Sequence, residues 1–382
     1  MTTAFTAAAL LTPLERLSDA VMLVEDGKIR GLGPRSQISI PAKTRVVDYG
    51  KDVIAPGYID LHIHGAAAHD VMSGTSLGLA AMEQFLASHG VTSYLPTTVS
   101  APMETTLRTL ENLAGAIEEA PSPGRARPLG IHLEGPFLSH ARRGVHPPQD
   151  LVPPSLEAFE RLWQAARGHI RLMTIAPELP GAIELIAAAT KRGVTCAVGH
   201  SDASAEATCA AIAAGARHAT HTFNAMRPLD HREPGILGIV LSDERLSADI
   251  IADGVHVAPS VVELFLSAKG AQRAVLITDA TSATGMGDGR FRLGTFEVEV
   301  TGMRCMREGK LAGSVLTLDR AVCNVMSFAG LELEGAVRLA TVNAARAAGV
   351  AAGELKPGAD ADFVVLTPAG EVVETICRGQ AW

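Results

Sequence analysis

The chain has no Cys-x-x-Cys pair, and its five cysteines (Cys196, Cys209, Cys305, Cys323 and Cys377) are odd in number and scattered. That pattern argues against a disulfide framework and a thiolate zinc site, and it fits a reducing cytoplasm. Although 47% of the 382 residues are hydrophobic, there is no run of about 18 apolar residues that could span a bilayer, so no membrane partner is expected. The apolar stretch ahead of Pro13 has no basic residues before it, which predicts an early strand and not a secretion signal. A basic excess is missing too. The formal net charge of -8 disfavours nucleic acid and anionic membrane as partners, so any phosphate site must be built locally.

What is present is an alternation. From about residue 53 to 281 a short β-branched or apolar run, a polar or Gly/Pro-rich loop and an Ala/Leu/Glu-rich helical stretch follow one another repeatedly. Eight strands are expected, near 53–62, 91–98, 128–134, 171–176, 194–200, 217–222, 248–255 and 273–279. The fold class is therefore α/β, a (β/α)8 TIM-like barrel with polar groups at its C-terminal strand ends. An open doubly wound sheet would carry a Gly-rich phosphate turn after its first strand, and none is there.

Both ends of the chain look β-rich. Asp26-Gly27 between apolar runs predicts a hairpin, and residues 361–366 and 372–379 predict two more strands. Neither piece can bury a good core alone. The expected division is a small β domain from residues 1–52 plus 355–382, and a barrel from 53–354. Residues 282–312 form an excursion after the eighth strand, in which Gly285-Met-Gly-Asp-Gly289 is read as a turn.

The first strand ends in His62-Ile-His64. Residues i and i+2 of a strand face one side, about 6.5 to 7 Å apart along the backbone, so both rings can converge on one ion. Other strands end alike: Ile131-His-Leu-Glu134, Val198-Gly-His200, Thr220-His221, Ala252-Asp-Gly-Val-His256 and Ile277-Thr-Asp279. A barrel would aim these groups at a common centre. Imidazoles and carboxylates are the donor set of Zn2+ or a similar divalent transition metal, with Fe2+ the alternative. Glu134, His200 and His221 supply three ligands for one ion; His62 and His64 add a second, Glu134 can bridge, and Asp279 can shuttle a proton. The chemistry of such a site is hydrolysis.

These motifs, with Gly144-Val-His146, His221-Thr-Phe-Asn-Ala-Met226, Arg232-Glu-Pro-Gly235 and Leu311-Ala-Gly-Ser314, resemble the amidohydrolase superfamily, and within it the N-acetylglucosamine-6-phosphate deacetylases. The resemblance implies removal of acetate from a phosphorylated amino sugar, in amino-sugar catabolism and cell-wall recycling. It places His146 beside the acetamido carbonyl and assigns Asn224, Ala225, Arg232 and His256 to the sugar phosphate. It also implies a homodimer in which Arg232 reaches the neighbouring site. Rival readings are a deacetylase of a related amino-sugar phosphate, a cyclic amidase, and a non-catalytic barrel scaffold. Cyclic amidases usually bridge their ions with a carboxylated lysine at the end of the fourth strand, and here that strand ends Thr174-Ile-Ala-Pro-Glu178, without a lysine.

Overall fold

A computed structural model describes residues 2–120 and 122–382. Eight short strands carry the centre of the molecule: β1 (Tyr58–Ile63), β2 (Val91–Pro96), β3 (Ile131–Glu134), β4 (Ile170–Ile175), β5 (Thr195–Val198), β6 (His218–Ala219), β7 (Ala248–Ile251) and β8 (Ala274–Ile277). A helix follows each, from Ser76–Ser88 after β1 to Leu318–Ala329 after β8. Nearly every strand residue is buried, as expected where helices cover one face of a parallel sheet and side chains fill the other. The helices show why. In Leu156–Ala165 the buried residues Phe159, Leu162 and Ala165 recur every third position, and the Ser155 hydroxyl caps the first turn by accepting the Ala158 N–H.

Parallel ladders join β1 to β2, β3 through β6 in order, and β7 to β8. Parallel bridges Thr97–His132 and Ile63–Ala280 link β2 to β3 and β8 back to β1. Between β6 and β7 the links are backbone hydrogen bonds, Ala219 N–H to Ser247 O and Thr222 N–H to Asp249 O. The sheet is of the TIM-barrel type.

Strands from the two ends of the chain form one eight-stranded sheet, ordered Gln380–Ala381, Val372–Cys377, Phe363–Leu366, Val53–Pro56, Thr2–Leu11, Arg16–Glu25, Lys28–Pro34, with Arg45–Asp48 also paired to Thr2–Leu11. The single strand expected over 53–62 is therefore two, because Val53–Pro56 pairs antiparallel with Phe363–Leu366 and the chain passes into the barrel at Gly57. Alternation along these strands divides their side chains. Ile54, Phe363 and Val365 fill the sheet's own core, whereas Val53, Ala55, Val364 and Leu366 face the barrel. Asp26 and Gly27 both have positive φ, 51° and 72°, as the tight hairpin turn between Arg16–Glu25 and Lys28–Pro34 requires.

The excursion after β8 is a four-stranded antiparallel sheet spanning Gly289–Leu311, and Gly285–Met286 lies in the turn that leads into it. It packs over the C-terminal strand ends through Leu293, Val298, Val300 and Cys305 against Met72, Val99 and Val145. No helix among the described residues is long and apolar enough to cross a membrane.

Candidate metal centre and active site

Two groups of potential ligands stand at the C-terminal strand ends: His62, His64 and Asp279 in one, Glu134, His200 and His221 in the other. In the second group the Nε2 atoms of His200 and His221 are 3.0 Å apart, and lie 3.2 and 3.1 Å from Glu134 Oε1. Ligands on a tetrahedral zinc at about 2.0–2.1 Å lie about 3.3 Å from one another, so these three donors fit one ion. In the first group His62 Nε2 and His64 Nε2 are 3.1 Å apart, and Asp279 Oδ1 is 3.5 and 3.2 Å from them. Glu134 stands between the groups, its Oε2 lying 3.2 Å from His64 Nε2.

All six side chains are nearly sealed from solvent. Burial pushes the Glu134 carboxyl up, but the imidazoles of His62, His146, His200 and His221 around it hold it well below the usual carboxylate range. Burial likewise opposes the charge on Asp279, which His62 and His64 draw down. Conversely, burial disfavours a charged His64 or His221, and the two carboxylates push both up, to about 10 and about 9. His200 is held down to about 4 by burial. Without a cation the pocket thus retains protons on imidazoles that a divalent ion would displace.

Neighbouring groups orient some of these rings. His64 Nδ1–H donates to Thr97 O at 3.2 Å, and His200 Nδ1–H donates to Arg142 O at 2.9 Å, leaving each Nε2 free to bind a metal. His146 is oriented oppositely. Its Nδ1 accepts the Ser100 N–H at 3.2 Å, so a neutral ring carries its proton on Nε2, which is 3.4 Å from Glu134 Oε2. Arg307 fixes the loop that bears it by donating to Val145 O at 2.7 Å while its guanidinium lies 3.7 Å from the Phe296 ring centre.

The amidohydrolase family's sequence profile matches residues 53–382. This chain belongs to that family. Among curated amidohydrolase-type relatives, the N-acetylglucosamine-6-phosphate deacetylase of Bacillus subtilis is 35% identical, covering 97% of this chain and 94% of that protein. The N-acetylgalactosamine-6-phosphate deacetylase of Escherichia coli O157:H7 is 36% identical, covering 100% and 99%. A solved structure of Mycobacterium smegmatis N-acetyl-D-glucosamine-6-phosphate deacetylase, in complex with N-acetyl-D-glucosamine-6-phosphate, superposes with a TM-score of 0.93 at 35% identity over 100% of this chain and 99% of that one.

The remaining expected site residues lie on the loops that follow β6 and β7. Asn224 and Ala225 occupy the turn after His221, half-buried, with Ala225 O accepting the Ser201 N–H. His256 is half-buried, and its Nδ1–H donates to Asp253 Oδ2 at 2.7 Å. Arg232 is exposed on the loop before Gly235–Ser242, apart from the buried cluster. Several supporting groups have no counterpart in the strand-end reading of the sequence. Thr97 acts through its backbone carbonyl, which no side-chain pattern reveals, and Ser100 through its N–H and its hydroxyl, 2.9 Å from His146 Nδ1. Glu178, at the end of β4, accepts from Ser201 Oγ at 2.8 Å and Asp202 N at 2.7 Å, and so braces the loop carrying His200. Its signal in the sequence is an acid shortly after an apolar strand run, Thr174-Ile-Ala-Pro-Glu178.

Proposed function

We propose that this amidohydrolase is a metal-dependent deacetylase that converts N-acetyl-D-glucosamine 6-phosphate to D-glucosamine 6-phosphate and acetate, in amino-sugar catabolism and cell-wall recycling. The observation that carries the proposal is the full set of six buried ligand-type side chains in a chain that matches, end to end, a structure holding that sugar phosphate. His62, His64, Glu134, His200 and His221 would hold one or two divalent ions, zinc first and iron second, with Glu134 as the group that would be shared if there were two. A bound ion lowers the pKa of water and polarises the amide carbonyl.

The chain's own groups do the rest. His146 donates a hydrogen bond from its Nε2–H to the carbonyl oxygen as charge develops there and keeps the proton, the tautomer being the one that the Ser100 N–H favours. Asp279 takes a proton from the attacking water and later gives it to the departing amine, acting as base and then as acid. Arg232, His256, Asn224 and the Ala225 backbone hold the sugar phosphate, Arg232 from the neighbouring subunit of a homodimer in the cytoplasm. The barrel, about residues 57–354, carries the chemistry, and the β domain built from 1–56 and 355–382 supports it.

Acetate release from N-acetylglucosamine with and without the 6-phosphate, measured with and without a chelator, tests this reading. Equal turnover of both sugars would sink the phosphate assignment, and chelator-insensitive turnover would sink the metal. A second reading, the galacto epimer as substrate, is favoured by the near-identical coverage of the N-acetylgalactosamine-6-phosphate relative. Running both phosphorylated epimers side by side decides between the two.

A further inference from the structure

His221 and His62 differ from the other ligand histidines in what orients them. His64 and His200 anchor their rings by donating Nδ1–H to a carbonyl, whereas the Nδ1 atoms of His62 and His221 are buried without a hydrogen-bond partner among the described residues. Ring placement at His221 must then come from its backbone, and that backbone is unusual. Its φ is +31°, a region that residues other than glycine rarely adopt and that persists only where surrounding contacts over-determine it.

The contacts that do so converge on Asp249, a carboxylate with 0% exposure in the apolar strand β7. Its Oδ1 accepts the His221 N–H in a short hydrogen bond, and its backbone carbonyl accepts the Thr222 N–H at 2.9 Å. Its Oδ2 accepts His218 Nε2–H at 2.8 Å, and His218, also wholly buried, places Nδ1 2.8 Å from Ser247 Oγ. This chain crosses the β6–β7 seam, where neither a ladder nor a bridge pairs the two strands among the described residues. His62 shows the same device in weaker form, its N–H lying 3.3 Å from the buried Asp60 Oδ1.

We infer that Asp249, held by His218, is a positioning residue that clamps the His221 backbone in its left-handed conformation and so sets where Nε2 presents itself to the metal. Asp249 stands outside both groups of ligand-type side chains. The inference rests on His221 being a ligand, as proposed above.

Zinc affinity, measured on folded protein by competition with a chromophoric chelator, tests it. Replacing a group that orients a ligand lowers metal affinity about 10- to 100-fold, and that is the loss expected for Asp249→Ala. Asp249→Asn keeps an oxygen for the His221 N–H and should stay within a few-fold of the parent. Lys269→Met is the control for lost stability alone: Lys269 is buried and donates to the Val240 and Asp243 carbonyls, away from the site, so its loss should lower the melting temperature and leave zinc affinity unchanged. Parental affinity in Asp249→Ala overturns the inference. Should that variant fail to fold, His218→Gln is read in its place: a several-fold loss supports the clamp, and no loss overturns it. A parent protein that binds no zinc would instead overturn the metal reading.

Discussion

The two ends of the barrel both carry dense charge, and they handle it differently. At the N-terminal end, between the strand starts and the terminal sheet, lies a cavity of about 700 Å3 lined by Lys28, Ser93, Arg127, Arg346, Asp360 and Asp362. There Lys28 and Arg127 are met by opposite charges: Lys28 Nζ is 2.7 Å from Asp360, and Arg127 is 2.8 Å from Asp360 and 3.3 Å from Asp362. At the C-terminal end the groups are more deeply buried and share few counter-charges, two carboxylates among five imidazoles. A roomy void lined by charge is therefore not by itself a reactive site. Paired, partly exposed charges make structure, whereas crowded buried donors without a cation make a site that needs one.

The sharpest way to break this contrast is at the C-terminal end. Asp279→Asn should lower turnover by about 10²- to 10⁴-fold, the usual worth of a positioned acid/base, while elemental analysis finds the parental metal content. An active Asn variant would remove Asp279 from its proposed role. Replacing His62 and His64 together by Asn should cut bound metal by one ion per chain and leave the ion at Glu134, His200 and His221. One ion in the parent at full activity would show that the pair binds no second metal.

A pH titration sharpens the same point. Because the carboxylates raise the His64 and His221 imidazoles, the metal-free protein binds protons there at neutral pH, and a cation must displace them. Zinc affinity should therefore rise with pH and fall on acidification, by about tenfold per unit for each proton displaced, with proton release visible in weakly buffered solution. The smallest effect belongs to the other end. Arg127→Met should cost about 1 kcal/mol in a denaturant melt, as partly exposed ion pairs do, and leave kcat unchanged. A large loss of turnover there would break the comparison.

Much of this arrangement could be read in the sequence, for a definite reason. Strand-end histidines and acids sit in otherwise apolar runs, and a polar residue in such a run demands an explanation. The eight strand positions follow from the same runs. What escaped was of two kinds. The break at Pro56–Gly57 lies inside a continuous apolar segment, and only pairing with Phe363–Leu366 assigns Val53–Pro56 to the other sheet. Groups that orient the site act through carbonyls, as at Thr97 and Arg142, or from strand interiors. Asp249 could have been found, since Ala248-Asp-Ile-Ile251 carries one carboxylate among apolar neighbours; a census confined to strand ends passes over it.

The pairing of Phe363–Leu366 with Val53–Pro56 also has a consequence in time. The partners are about 300 residues apart in sequence, which at roughly 5–20 residues per second is a wait of roughly 15 to 60 s during synthesis. The segment that leads into His62 and His64 is made early and paired on its open edge late. Through that interval its apolar edge must be sheltered by something other than its native neighbour, and newly made chains stalled before residue 363 should be the ones that aggregate.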